Sequence, residues 1–263
     1  MKRDTGFGLR DVVAVLCLAG LALPILAASL GGVVSQAAEV RCRTNLGALT
    51  RAVVAYAARN RGYMPVYKHT LYDNGQPAPA APPQPDRTAV AFGGNKNPVT
   101  GLLDIPMNFG HLYVQGLVRS PEMFYCPAPI TDTRHTLANY PKPWGSKSGP
   151  GSNLIRVGYM FNPWIKIISG AGSDIYATYD DGLVLRRHPG NWPLVCDLVM
   201  SMNQTGHRQA GSAFWNMAYP DGHVAPFANQ ELYDVLASGL DIYRLEWGVF
   251  NSQVRPKILP PGP

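Results

Sequence analysis

Residues 6–26 read GFGLRDVVAVLCLAGLALPIL, and how this stretch is read decides what the rest of the chain is attached to. No charged side chain occurs from residue 12 to residue 38, and residues 12–34 are apolar apart from Ser29 and the glycines. About 20 such residues cross a hydrocarbon core of about 30 Å as a helix, so the segment is long enough to span a bilayer. Pro24 bends such a helix or frees one carbonyl, which membrane helices tolerate better than soluble ones. Arg10 and Asp11 stand at its mouth, and neither a secretory signal nor a plain anchor has a use for an acid there.

Three readings compete. In the first, Lys2 and Arg3 open a cleaved signal peptide and VSQAAE (34–39) supplies a small-x-small cleavage site ending near Ala37; against it, the apolar run exceeds the 7 to 15 residues usual for such signals. In the second the segment is an uncleaved anchor, but Arg41, Arg43 and Arg51 follow it closely, so the positive-inside count favours neither orientation.

In the third, the stretch resembles the N-terminus of type IV prepilins and type II secretion pseudopilins: a short basic leader ending in Gly, then Phe, then an apolar helix with an acid at the fifth mature position. The resemblance implies a leader over residues 1–6, cleavage by prepilin peptidase between Gly6 and Phe7, and methylation of the Phe7 amine. Asp11 stands where that family normally has Glu, and Gly8 and Arg10 replace its usual Thr and aliphatic residue. A carboxylate inside a membrane is costly and needs a partner. The resemblance names that partner as the Phe7 amine of a neighbouring subunit, which makes Asp11 an assembly device.

The helix is expected to continue beyond the membrane segment. On a wheel of about 100° per residue, Leu46, Leu49, Val53, Tyr56 and Ala57 share one arc, with Arg41, Arg43, Arg51, Arg59 and Arg61 outside it, as in a surface helix with one buried stripe. NRGYMP (60–65) supplies a Gly for the stop and a Pro that blocks continuation. The expected organisation is therefore a leader (1–6), a transmembrane helix (7–34), its amphipathic continuation (35–62) and an extracytoplasmic body (63–263). CRTNLGALTRAVVAYAARNRGYMP (42–65) is similar to the Cys-x-x-Asn-Leu, amphipathic helix, Asn-x-Gly-Tyr-x-Pro pattern of large pseudopilin-like families abundant in planctomycete-type bacteria.

Only 15% of the 263 residues are charged, against about 25% in ordinary soluble domains, and the chain holds 27 glycines and 24 prolines. That mix predicts a loop-rich body. The net charge of +6 comes from scattered Lys and Arg residues with no basic run, which argues against nucleic acid as a partner. Residues 76–85 and 140–153 read as Pro-rich surface loops, and residues 254–263 as a Pro-rich tail, extended or disordered. In the body, LVRSPEMFYCPAP (117–129), VGYMFN (157–162) and WPLVCDLVM (192–200) resemble, in order, a Phe-x-Cys-Pro element, a Tyr-x-x-Asn element and a strand ending in an acid from the same families. Read structurally, their aromatics are core, and Cys126 is a bridge or a small buried residue.

HRQAGSAFWNMAYPDGHVAPF (207–227) alternates over 213–219, turns at Asp221-Gly222 and resumes over 223–227, the signature of a β-hairpin. It resembles the His-x9-Asp-Gly element of prepilin-type processed proteins, marked here by His207 and Asp221-Gly222. Residues 229–243 carry Leu232, Val235, Leu236 and Leu240 at helical spacing behind an Asn229 cap.

No CxxC pair exists among Cys17, Cys42, Cys126 and Cys196, which argues against a zinc ribbon or thioredoxin-like site. In an oxidising compartment the preferred disulfide is Cys126 to Cys196. His207, Asp221 and His223 together suit zinc or iron, and Asp180 and Asp181 suit calcium. However, turn chemistry already explains Asp221, and the spacing is not that of an EF-hand, so no cofactor is expected. There is no GxSxG, HExxH or GxxxxGK[ST] sequence, so no enzyme is expected either, although a Cys126 or Cys196 nucleophile with His188 or His207 is conceivable.

The expectation is an α+β, pilin-like protein with a long N-terminal helix packed on a loop-rich antiparallel β-sheet body, single-pass in a bacterial inner membrane with its body on the periplasmic side. The resemblance implies as partners prepilin peptidase, other pseudopilin subunits, an inner-membrane assembly platform and the lipid bilayer. The alternative is an anchored or secreted binding module for glycans or envelope partners, with Trp144, Trp164, Trp192 and Trp215 as a stacking platform.

Overall fold

The computed structural model describes residues 9–65, 89–96, 103–140, 144, 154–161, 167–170, 173–176, 185–187, 190, 193–199, 201–209 and 212–239. The first element, α1 (Leu9–Arg59), is a single helix of 51 residues, about 75 Å long at about 1.5 Å per residue. Pro24 lies inside it without ending it. Its two halves have opposite surroundings. Leu9, Val12, Val13, Val15, Leu16, Leu18, Val33 and Val34 are exposed, whereas Leu46, Leu49 and Val53 have no exposed surface and Ala57 is 1% exposed.

The buried arc follows the expected wheel except at Tyr56, which is half-buried, and Cys42, Asn45 and Thr50 are added to it. Arg43 departs from the expected outer face and is half-buried. Its Nε donates to Asn216 Oδ1 at 3.1 Å and its guanidinium pairs with Glu39 one turn back. The helix stops at Arg59, three residues short of the expected residue 62, because Arg61 and Gly62 take left-handed conformations with φ of 57° and 88°. Among the described residues, no helix is long and apolar enough to cross a membrane; the side chains of residues 19–32 lie outside that description.

The body is antiparallel throughout its described pairings. A three-stranded sheet has β1 (Val90–Lys96) between β2 (Leu103–Pro106) and β3 (Ile155–Arg156). A larger sheet contains β4 (Tyr159–Phe161). The strands β5 (Ile167–Gly170) and β6 (Ser173–Tyr176) form a separate ribbon. The larger sheet continues with β7 (Val195–Asp197), β8 (Arg208–Gln209), β9 (Ser212–Ala218) and β10 (Val224–Ala228), in the order β10-β9-β7-β4 with β8 beside β9. Among the described residues two short α-helices flank the sheets: α2 (Phe109–Val114) against β1, and α3 (Gln230–Ala237) against β9.

The hairpin forms where the sequence places it, and the last helix begins behind Asn229 as expected but ends at Ala237, short of residue 243, with Gly239 at φ 86° just beyond it. Ala218 pairs with Val224, and the turn between them holds Gly222 at φ 90°. That conformation costs a side-chain-bearing residue about 1–2 kcal/mol. Asn229 accepts a hydrogen bond from the Leu232 amide at 2.9 Å and so caps α3.

The C-terminal half of α1 lies along β9, β7 and β10 and closes a core rich in rings. Phe109, Phe124, Tyr159, Phe161 and Trp215 are fully buried. Trp144 corrects the expectation of a surface loop over 140–153. It is 3% exposed, stacks on Phe124 at 4.9 Å and donates to the Tyr125 hydroxyl at 3.1 Å. The rest of that loop apart from Tyr140, the loop 76–85 and the tail 254–263 lie outside the described residues.

Candidate functional site

Side chains alternate along a strand, so Val195 and Asp197 of β7 face one way and Cys196 the other. The ladder partners of Cys196 are Met160 and Met217, whereas Tyr159 is the partner of Asp197. Asp197 therefore looks towards α1, and four chemically active groups meet there. Cys42 comes from α1, Cys126 from the turn after the 3-10 helix Pro121–Phe124, Asp197 from the end of β7, and His207 from the entry to β8. Their ligand atoms all lie within 4.8 Å of one another.

The contacts are specific. The Cys42 thiol donates to Asp197 Oδ1 at 3.1 Å. Asn216 of β9 donates to Asp197 Oδ2 twice, from its backbone at 2.6 Å and from Nδ2 at 3.2 Å. His207 Nε2 lies 3.5 Å from Cys126 Sγ and 3.5 Å from Asp197 Oδ2, and its ring stacks on Phe214 at 5.1 Å. Cys126 reaches this position because residue 158 has no side chain. A Cβ on Gly158 would stand 2.8 Å from the Cys126 amide nitrogen and 2.9 Å from Tyr125 Cα. One turn along α1 from Cys42, Asn45 Nδ2 donates to the Tyr125 carbonyl at 3.4 Å and to the Tyr159 hydroxyl at 3.5 Å.

Burial sets the electrostatics. It raises the Cys42 thiol, an effect reinforced by Cys126 and Asp197. It also raises Asp197, against the opposing pull of His207 and the Asn216 donors. Cys126 goes the other way, down to about 7, because Cys42 hydrogen-bonds it and His207 faces it, against the effect of burial. Burial pulls His207 down, but the Cys126 thiol and the Asp197 carboxylate outweigh it and hold the imidazole above its ordinary value. Cys126 is thus the thiol that ionises first, towards His207.

The structure redistributes the residues singled out in the sequence. The expected Cys126–Cys196 disulfide is not present: all four cysteines are free, Cys126 neighbours Cys42, and Cys196 faces the opposite side of β7. His207 does not join Asp221 and His223. Those two pair with each other at 2.6 Å on the exposed hairpin turn, where the His223 ring stacks on Tyr219 at 4.3 Å. Asp180, Asp181, His188, Gly6 and Phe7 lie outside the described residues, and Asp11 sits in the first turn of α1 with its side chain outside the description. Of the four tryptophans named as a stacking platform, Trp144 and Trp215 are buried at 3% and 0% exposure, while Trp164 and Trp192 are outside the described residues.

Sequence reasoning assigned no site role to Cys42, Asp197 or Asn216. Their signals were present as two separate marks, the Cys of the Cys-x-x-Asn-Leu stretch and the acid ending the WPLVCD strand, 155 residues apart. The pairing of Cys126 with His207 was conceivable from sequence, but nothing in their spacing fixed it.

Chemically, the group offers two sulfurs, a carboxylate oxygen and an imidazole nitrogen aimed at one point. It is not laid out as a nucleophile–base–acid relay, in which the carboxylate holds the imidazole nitrogen opposite the one facing the nucleophile; here Asp197 and Cys126 address the same nitrogen. Beside it, Arg41, Cys126, Pro127, Ile130 and Leu137 help to line an open cavity of about 360 Å³. No family model, no curated protein and no solved structure matches this chain.

Proposed function

We propose that the chain is a pseudopilin-like structural subunit of a type II secretion or type IV pilus-like system, anchored in a bacterial inner membrane with its body on the periplasmic side. One observation carries the reading: in the unbroken helix α1 the described aliphatic side chains near the N-terminal end, Leu9 to Leu18 and Val33–Val34, are exposed, whereas the C-terminal half is core to the body. A segment whose described side chains lie open, with Leu16, Leu18, Val33 and Val34 exposed at 62–68%, is built to be covered by something else. Lipid covers it first, and like helices of neighbouring subunits cover it after assembly. The apolar run of residues 19–32 belongs to the same segment by sequence. Prepilin peptidase cleaves after Gly6, the Phe7 amine is methylated, and the assembly platform presents Asp11 to the Phe7 amine of the next subunit. In this reading the body is a structural and contact module, not an enzyme.

The test is the mass of the N-terminal peptide of protein recovered from envelope membranes. The expected peptide starts at Phe7 and carries one added methyl group, and Asp11→Ala leaves that processing intact while abolishing assembly. A peptide starting near Ala38 overturns the proposal, because it removes the helix on which assembly depends. Of the four tryptophans on which the binding-module alternative rests, Trp144 and Trp215 are core residues, and Trp164 and Trp192 lie outside the described residues.

A further inference from the structure

We propose that Cys42 Sγ, Cys126 Sγ, one carboxylate oxygen of Asp197 and His207 Nε2 form a four-ligand zinc site that clips α1 to the β-sheet. The inference stands independently of the secretion or pilus reading.

The geometry is the first argument. Zn–S and Zn–N bonds of about 2.3 and 2.0–2.1 Å at a tetrahedral centre place sulfur and nitrogen about 3.5 Å apart. Cys126 Sγ and His207 Nε2 are 3.5 Å apart, and all four donors fall within a 4.8 Å sphere of mutual distance. Convergence is the second. A pair of thiols alone explains a disulfide, and a Cys–His pair alone explains a nucleophile, but neither uses the buried carboxylate of Asp197. That carboxylate faces Cys42 on one oxygen and His207 Nε2 on the other. The Cys42 thiol and the two Asn216 donors already hydrogen-bond that carboxylate, and a divalent cation is the partner that engages all four groups at once.

The surroundings fit as well. Asn216 grips Asp197 Oδ2 with two donors and is itself fixed by Arg43 Nε at 3.1 Å, as outer-shell groups orient ligands around protein-bound zinc. Two thiolates select zinc over calcium or magnesium. Binding releases two protons, one each from Cys42 and Cys126, and uses His207 in its neutral form. The resulting centre, Zn²⁺ with two thiolates and a carboxylate, carries one net negative charge. Cys126, half-buried at the edge of the open cavity, marks the way in for the ion. Because all four positions are filled by the protein, the site is structural and leaves no place for a reacting water.

The experiment uses the full chain purified in detergent under reducing conditions, with metal content measured by plasma mass spectrometry and free thiols counted after denaturation. The expected result is about one zinc per chain, lost in both Cys126→Ser and His207→Ala. Cobalt exchanged into the unaltered protein should show the sulfur-to-metal charge-transfer and ligand-field bands of a tetrahedral thiolate site, which keeps the test valid where a variant fails to fold. Three outcomes overturn the proposal: a metal-free chain two hydrogens lighter with Cys42 joined to Cys126, a metal-free chain with both thiols reduced that takes up neither zinc nor cobalt, or zinc retained at one per chain in both variants.

Discussion

At Gly158 the structure has no room for one more carbon. The atoms that a Cβ would meet are backbone atoms of Tyr125 and Cys126, which cannot swing aside as a flexible side chain would. Gly158→Ala should therefore cost about 1–3 kcal/mol, the usual range for overpacking, read as a lowered denaturant midpoint. Gly190→Ala, with nothing within 4 Å of its added carbon, should stay within about 0.5 kcal/mol of the parent. Asp132 makes a second residue-scale case. Burial alone would raise its carboxyl, but hydrogen bonds from His135, Arg134 and Gln204 hold it far below the usual carboxylate range. A depressed folded value means stability that is fully present above the unfolded value of about 3.9 and lost progressively as pH falls from there through the folded value. The melting temperature should thus fall on acidification below about pH 4–5. Asp132→Asn should flatten that acid limb while costing about 1–3 kcal/mol near neutrality, as expected when a charged hydrogen-bonding partner is removed.

Elements show where local chemistry sufficed and where it did not. The β9–β10 hairpin and α3 were legible because their determinants are neighbours in sequence: Asp221-Gly222 sets the turn, and Asn229 sits at the α3 start that it caps. Asn229→Ala should cost about 0.5–2 kcal/mol, and amide exchange should accelerate chiefly over residues 230–237 if that cost is local. The buried arc of α1 was legible for the same reason, since helical periodicity is a local property. Arg43 was misplaced because its partner, Asn216, is 173 residues away. The junction site failed to appear for that reason too. Cys42 and Asp197 are each unremarkable on their own elements and meet only once α1 lies across β7. The expected Cys126–Cys196 bridge failed on strand alternation: one residue along β7 separates a side chain that faces α1 from one that faces Met160 and Met217.

For the molecule as a whole, α1 is two things joined without a break. Its C-terminal half is core, so Leu49→Ala should destabilise the body by about 2–5 kcal/mol, as large-to-small core changes do. Val34→Ala, on a side chain 67% exposed, should leave the denaturation midpoint of the detergent-solubilised protein within about 0.5 kcal/mol. A scan along the helix should locate the changeover between Val34, exposed, and Cys42, buried, since Ala38 and Glu39 between them are half-buried. The buried contacts from Cys42 to Ala57 then cover about 22 Å of one rod, and this has a mechanical meaning. A pull on the N-terminal half along the helix axis loads those contacts together, in shear, rather than peeling them apart one after another. The body is therefore held like a blade on its tang, with its grip greatest in the direction in which a membrane-rooted stalk would be drawn.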